Sequence, residues 1–237
     1  MFYGRISDGL IPGLFVFPDY FSKQQCKGMT KETIDLYSRL EKAAESQEFQ
    51  KANIPQPDFV LSEKHNLVSE EYYLRLKLAG GESSKKLRCE YFPRYGEDGH
   101  ALAYFRGNRN LPDFVADGLL TQIEESMQEI ALLESESRLT WKLTVNYYKN
   151  VAGTVAGFPF HVDIPANGIV TMIMNVQKEA LFQITNGDEV HDIKLPIGAL
   201  LVLSGESRYE WKHRVLPSEN NGSENEIKRV SLVLGFQ

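Results

Sequence analysis

The sequence predicts an α+β domain with an all-β core folded as a double-sheet barrel or jelly roll. Two segments within the first 134 residues have the pattern of helices. After Arg138 the sequence consists of short segments in which apolar and polar residues alternate, separated by turn residues. Short strands at such regular intervals are typical of sandwiches and barrels. A length of 237 residues suits one domain with a sizeable core, so we expect a single domain over residues 1–237.

The N-terminal extension, residues 1–79, begins with a strand and a helix. Residues 10–17 are apolar and end at Pro18, which predicts a strand that runs into a turn. Ser22 and Gln25 form a capping-box pattern, and apolar residues recur at helical spacing to residue 44, so we predict a helix that covers one sheet face. Residues 51–67 are loop-like, and residues 69–78 suit a short helix or a strand.

Residues 80–112 interleave aromatic and basic side chains. Six basic residues against four acidic ones make the segment locally positive. Arginines beside aromatic rings can hold a nucleobase or a peptide. We interpret the segment as a substrate lid, although hairpins with ordinary core aromatics and solvated charges explain the pattern equally well.

A supporting helix is predicted over residues 113–134. Pro112 and Asp113 suit its start, since proline is tolerated in a first turn. One apolar stripe follows at helical spacing: Phe114, Leu119, Leu120, Ile123, Met127, Ile130 and Leu133. The stripe carries no residue of a metal-ligating type, so we assign the helix to the scaffold.

The jelly roll itself is expected over residues 140–237. Residues 142–148 alternate, which puts Asn146 and Tyr148 on one polar strand face. Further strands are predicted at 168–176, 180–184, 189–195 and 199–203, and Asn186-Gly187 is a hairpin turn signal. The last two strands are residues 208–215 and 229–236.

The stretch Phe158-Pro-Phe-His161-Val-Asp163 places an imidazole and a carboxylate two residues apart at a strand end. Residues i and i+2 of a strand share a face, so His161 and Asp163 can converge on one point. His213, on the predicted strand 208–215, offers a third ligand. Two histidines and one carboxylate form the facial triad of non-haem iron(II) oxygenases, with open positions for oxygen and a chelating cosubstrate. A single His-x-Asp is common by chance, so the motif needs further support.

Arg229 supplies that support, because it occupies a strand that otherwise reads as buried. Arg229, Ser231 and Gly235 share one face of this strand, and the opposite face is apolar. A guanidinium in a core needs an anion, and a carboxylate that accepts two hydrogen bonds is its natural partner.

Composition excludes some classes of protein. The net charge of −6 argues against binding nucleic acid mainly through phosphate neutralisation, although a local basic groove remains compatible with it. Two cysteines form no disulfide framework, which fits a reducing compartment. The sequence shows no signal pattern and no apolar run of membrane-spanning length, so we expect a soluble, intracellular enzyme without a membrane partner. Nothing in the pattern specifies an oligomeric state.

The motifs taken in order resemble the AlkB family of iron(II)- and 2-oxoglutarate-dependent dioxygenases. They are Asn146-Tyr-Tyr148, His161-Val-Asp163, Gly205-Glu-Ser-Arg-Tyr209-Glu-Trp-Lys-His213 and Arg229-Val-Ser231, and Pro12-Gly-Leu-Phe with Phe21 is similar to that family's opening. The resemblance covers about the last hundred residues well. It implies a double-stranded β-helix in which residues 140–237 form the catalytic jelly roll.

The resemblance also implies a role for each motif residue. His161, Asp163 and His213 would bind iron(II). Arg229, Tyr148 and Ser231 would hold the distal carboxylate of 2-oxoglutarate, with Asn146 near its metal-bound end. The family has a second arginine six residues after the first, and this chain has Gly235 there. Lys142, on the same strand face as Asn146, is expected to lend a positive charge to that end.

Three functions follow as hypotheses. The first is demethylation of a methylated nucleobase in DNA or RNA, with 2-oxoglutarate and O₂ as cosubstrates and with release of succinate, CO₂ and formaldehyde; the aromatic and basic lid favours it. The second is a dioxygenase of the same family that acts on a protein side chain or a small molecule, which the acidic net charge favours. The third is a jelly-roll binding module with weakened catalysis, suggested by Gly235 alone.

Overall fold

The computed structural model describes residues 11–45, 74–77, 88–94, 100–108, 119–130, 132, 140–149, 158–216 and 227–236. In these ranges the chain forms strands β1 to β12, helices α1 to α3 and one short 3-10 helix. The strands are β1 Leu14–Phe17, β2 Leu74–Lys77, β3 Arg88–Arg94, β4 His100–Asn108, β5 Thr140–Lys149, β6 Phe158–His161, β7 Val170–Asn175, β8 Ala180–Thr185, β9 Val190–Leu195, β10 Ala199–Leu203, β11 Lys212–Val215 and β12 Ile227–Phe236. The helices are α1 Lys23–Glu45, α2 Leu119–Glu129, α3 Gly205–Tyr209 and the 3-10 helix Pro165–Asn167.

The strands form two antiparallel sheets. The larger has the order β1-β10-β7-β12-β5-β4-β3-β2, and the smaller has the order β6-β11-β8-β9. Sequence neighbours such as β6 and β7 lie in different sheets, as in a jelly roll, whose chain passes repeatedly between two layers. The predicted α+β jelly-roll core is therefore confirmed.

The apolar core lies between the two sheets. Phe182 and Ile184 of the smaller sheet pack in one cluster with Leu201 and Leu203 of β10 and Ile173 of β7. All but Ile173, which is 6% exposed, are fully buried. This cluster therefore joins the smaller sheet to strands β7 and β10 of the larger one.

The inner face of the larger sheet becomes polar beyond this core. Ser231 on β12 pairs with Asn146 on β5 and with Asn175 on β7, so all three side chains project on the same side. Their alternating neighbours on the other side, including Val145 and Leu232, are fully buried and apolar. Buried polar side chains therefore collect on one face of these three strands.

The long helices support the larger sheet. Ser22 and Gln25 form the predicted capping box, in which Gln25 N–H donates to Ser22 Oγ at 3.2 Å and Ser22 N–H donates to Gln25 Oε1 at 2.9 Å. Thr30 on α1 donates to the carbonyl of Val176 at 3.2 Å, just beyond β7. On α2, Ile123 and Met127 of the predicted stripe are fully buried. No helix in the described part of the chain combines the length and apolarity needed to cross a membrane.

Some predicted boundaries change. Residues 208–215 are not one strand: residues 205–209 form α3, and β11 begins only at Lys212. The reason is a second capping box, in which Ser204 and Ser207 exchange side-chain to backbone bonds and so favour a helical turn. Helix α2 ends at Glu129 and not at residue 134, and its predicted start at 113–118 lies outside the described residues. Residues 69–78 contain a strand, and residues 51–67 lie outside the description.

Candidate metal centre

The two predicted histidine ligands face each other across a strand pair. His161 is the last residue of β6, and it is in register with His213 on the adjacent strand β11. Directly opposed residues of an antiparallel pair have their side chains on the same face, which brings the two imidazole centroids to 4.4 Å. Phe182, on β8, lies parallel to the His213 ring at 5.3 Å and restricts its rotation.

Asp163 joins them from the loop that follows β6. Its Oδ1 lies 3.7 Å from His161 Nε2, and its Oδ2 lies 3.7 Å from His213 Nε2. One ligand atom from each residue falls in a group whose members are all within 4.8 Å of one another. This is close to the spread of ligands around a single ion, whose bonds to imidazole nitrogen and carboxylate oxygen are about 2.1 Å long.

The donor chemistry also fits a metal. Asp163 Oδ2 is buried without a hydrogen-bond partner, an arrangement that costs free energy unless a cation is bound there. The set of two imidazoles and one carboxylate is the ligand set of non-haem iron(II) sites. In the described part of the chain no other group of histidine, cysteine and acidic residues has metal-binding spacing.

The protonation states are those that a metal requires. Burial alone would raise the pKa of Asp163, but the close contact with His161 and the electrostatic influence of His213 and Arg208 hold it well below its usual range. Burial lowers the pKa of His213 to about 4, with Asp163 acting in the opposite direction. At neutral pH the site therefore holds an ionised carboxylate and a neutral His213, so neither must lose a proton to bind.

Arg208 supports the loop that carries Asp163. Its guanidinium is only 1% exposed and donates to the carbonyls of Asp163 at 3.0 Å, Ile164 at 2.7 Å and Gly168 at 3.1 Å. Three carbonyls on one planar cation fix the path of the backbone on both sides of the 3-10 helix. Arg208 lies within the motif that runs from Gly205 to His213, but no local pattern in the sequence indicates that it supports this loop.

The predicted cosubstrate residues lie together on β12 and β5. Arg229 is 3% exposed, and its Nε donates to Asn175 Oδ1 at 3.2 Å. Asn146 Nδ2 donates to Ser231 Oγ at 3.4 Å, and Tyr148 is in register with Arg229. The four residues therefore occupy adjoining positions of one sheet, as a carboxylate-binding group requires.

Asn175 is a residue that sequence reasoning missed. Its Nδ2 donates to the carbonyls of Lys178, Leu195 and Pro196 at 2.7–3.1 Å, so its Oδ1 must point the other way, toward Arg229. Asn167, whose amide lies 2.8 Å from Asp163 Oδ1, was missed as well. In the sequence, Asn175 stands at the end of a predicted strand and Asn167 precedes a glycine. Asparagine is common at such positions, so neither position indicates a functional residue.

No protein-family model matches the chain, and no curated protein matches its sequence. Solved structures match its fold. A "Putative oxygenase" from Shewanella oneidensis is 14% identical with a TM-score of 0.53, over 94% of this chain and 80% of that one. A prolyl hydroxylase from Trichoplax adhaerens, in complex with a hypoxia-inducible factor peptide fragment, is 13% identical with a TM-score of 0.51, over 94% and 83%. The fold is one found in oxygenases.

OsALKBH1 also matches, with 14% identity and a TM-score of 0.46 over 96% of this chain and 99% of that one. A TM-score at this level does not distinguish one branch of the fold from another. The resemblance to the AlkB family therefore rests on the sequence motifs alone.

Proposed function

We propose that the protein is an iron(II)- and 2-oxoglutarate-dependent dioxygenase. The observation that carries the proposal is the convergence of His161, Asp163 and His213 within 4.8 Å, inside a jelly roll whose larger sheet buries Arg229 on its polar inner face. A metal triad alone would suit many sites, and a buried arginine alone would suit a structural ion pair. Their combination suits an ion and a dicarboxylate bound together.

The residues divide the work between them. His161, Asp163 and His213 would hold the ion on one side and leave its other positions open. Arg229, kept in direction by Asn175, would bind the distal carboxylate of 2-oxoglutarate, with Ser231 and Tyr148 beside it. The bound ion and cosubstrate would supply the chemistry of this class, in which O₂ oxidises 2-oxoglutarate to succinate and CO₂ and a substrate C–H bond to C–OH. If the carbon is an N-methyl group, the hydroxymethyl product loses formaldehyde.

For the substrate we propose a methylated nucleobase of DNA or RNA. The aromatic and basic segment supports this, because its strands β3 and β4 extend the sheet next to β5, with His100 in register with Tyr148. The segment therefore continues the sheet that carries the cosubstrate residues. A peptide is the second candidate, since the prolyl hydroxylase with a similar fold is in complex with one.

Succinate formation tests the reaction class. We expect the purified protein, given iron(II), 2-oxoglutarate and O₂, to form succinate slowly even without a substrate. His161→Ala and His213→Ala should stop this reaction and lose metal by elemental analysis while circular dichroism stays that of the folded protein. Stoichiometric metal in both variants would contradict the ligand assignment, and a metal-bound wild type that forms no succinate would favour a binding module.

A further inference from the structure

Three polar side chains from separate parts of the chain are linked by hydrogen bonds, and one of them is the triad residue Asp163. Lys142 Nζ, on β5, donates to Asn167 Oδ1 at 2.6 Å, and Asn167 Nδ2 donates to Asp163 Oδ1 at 2.8 Å. Lys142 is 5% exposed, so this contact is largely shielded from water. The lysine expected to serve the cosubstrate thus contacts the residue that contacts a metal ligand.

The groups on either side of Asn167 determine how its side-chain amide is oriented. An ammonium group has donors and no acceptor, so the oxygen of Asn167 must face Lys142 and its NH₂ group must face the carboxylate. That NH₂ group donates a hydrogen bond to Oδ1 of Asp163. The other oxygen, Oδ2, has no hydrogen-bond partner and lies 3.7 Å from His213 Nε2. The amide therefore fixes the rotation of the carboxylate and keeps one oxygen available to an ion.

Gly235 provides the space for this arrangement. A Cβ atom at residue 235 would lie 1.7 Å from the carbonyl oxygen of Asn167 and 2.5 Å from its carbonyl carbon. The turn is held against β12 by a 2.7 Å bond from Ile169 N–H to the carbonyl of Phe236, and Thr171 donates to the same Asn167 carbonyl at 3.3 Å. Any side chain at 235 would displace Asn167 from Asp163.

We propose that Asn167 is a positioning residue for the metal ligand Asp163, that Lys142 sets the direction of its amide, and that this contact is the reason residue 235 is glycine. The inference rests on the proposed function, because it assigns Asp163 to a metal. Partners of this kind orient the ligand, and their loss typically costs about 10- to 100-fold in metal affinity.

Cobalt(II) titration of the purified protein tests the inference, with affinity and visible absorption as readouts. We expect Asn167→Leu and the smaller Asn167→Ala to weaken Co²⁺ binding by about 10- to 100-fold and to change the spectrum. Lys142→Met should shift both readouts in the same direction by a smaller amount, because the amide stays but loses its fixed direction.

Gln183→Met is the matched control. Gln183 also bridges a cation and a carboxylate, with 2.7 Å bonds from Arg214 Nε and to Asp192 Oδ1, but neither group belongs to the triad. This variant should bind Co²⁺ as the wild type does. Wild-type affinity and spectrum in Asn167→Ala would overturn the inference and leave the proposed function standing. A wild type that binds no Co²⁺ would overturn both.

Discussion

At the residue scale, the site depends on two buried arginines with different duties. Arg208 donates its three observed hydrogen bonds to backbone carbonyls, so its role is to hold the backbone in place. Arg229 instead contacts a side-chain amide that is itself held by three carbonyls. Because its neighbour already holds the Arg229 side chain in one orientation, binding a ligand there would cost little additional side-chain entropy.

Arg229→Ala is expected to remove measurable 2-oxoglutarate binding. The distal carboxylate has no metal contact, so without the guanidinium it would be a buried charge that has lost its opposite charge. Calorimetric titration of 2-oxoglutarate, with an inert divalent metal in place of iron, measures the change. Arg214→Ala is the control, because that guanidinium lies 4.2 Å over the ring of Phe160 and outside the proposed site. Unchanged affinity in Arg229→Ala would contradict the cosubstrate assignment.

At the element scale, the end of β12 and the 3-10 helix form one unit. Gly235 is in register with Lys142 on one side and with Thr171 on the other, and the backbone of Asn167 lies directly over it. A substitution at residue 235 therefore acts on the loop that follows Asp163 and not only on its own strand. The close approach of Asn167 leaves no space for a side chain at this position of the unit.

Two glycine substitutions should have opposite effects on the free energy of unfolding. Gly235→Ala would press on backbone that cannot move aside, and we expect a loss of about 1–3 kcal/mol. Gly28→Ala, in the exposed interior of α1 with nothing within 4 Å of a new Cβ, should stabilise the protein by about 0.5–1 kcal/mol. Urea denaturation of the two variants measures both changes, and equal effects would contradict the close approach at Gly235.

At the scale of the whole molecule, one sheet connects the proposed functions. Strand β12 carries the cosubstrate residues, β5 pairs with it, and β4 and β3 continue the sheet into the aromatic and basic segment. Substrate and cosubstrate would therefore bind to neighbouring strands of the larger sheet, while the smaller sheet and the loop after β6 carry the proposed metal ligands. This division predicts that the two activities can be separated by mutation.

The double variant Arg94→Ala, Arg106→Ala should weaken binding of a methylated oligonucleotide by about tenfold, because each arginine would contact phosphate or base. Succinate formed without substrate should change much less. Fluorescence anisotropy measures the first quantity and succinate assay the second. Lys194→Ala with Lys212→Ala, two exposed lysines of the smaller sheet, is the control for charge alone. Equal loss of both activities would assign the arginines to the fold, and binding of a peptide but not of the oligonucleotide would favour the second substrate class.

The sequence by itself determined the features that depend on local pattern. The period-2 alternation of residues 142–146 and 229–236 predicted correctly which side chains share a face, because neighbours on a strand alternate by geometry. The capping box at Ser22 and the hairpin turn at Asn186 were predicted for the same reason, since each is formed within four residues. The His161, Asp163 and His213 set was also proposed from sequence, and the structure brings the three together.

Only the tertiary structure decided the contacts between residues far apart in sequence. The pairing of Lys142 with Asn167, of Arg208 with the loop after Asp163, and of Arg229 with Asn175 depends on how two sheets pack, which no local period encodes. Gly235 shows the difference most clearly. In the sequence it stands where the similar motif has an arginine, whereas in the fold it lies against the backbone of Asn167, and hard-sphere contact leaves no space there for a Cβ atom.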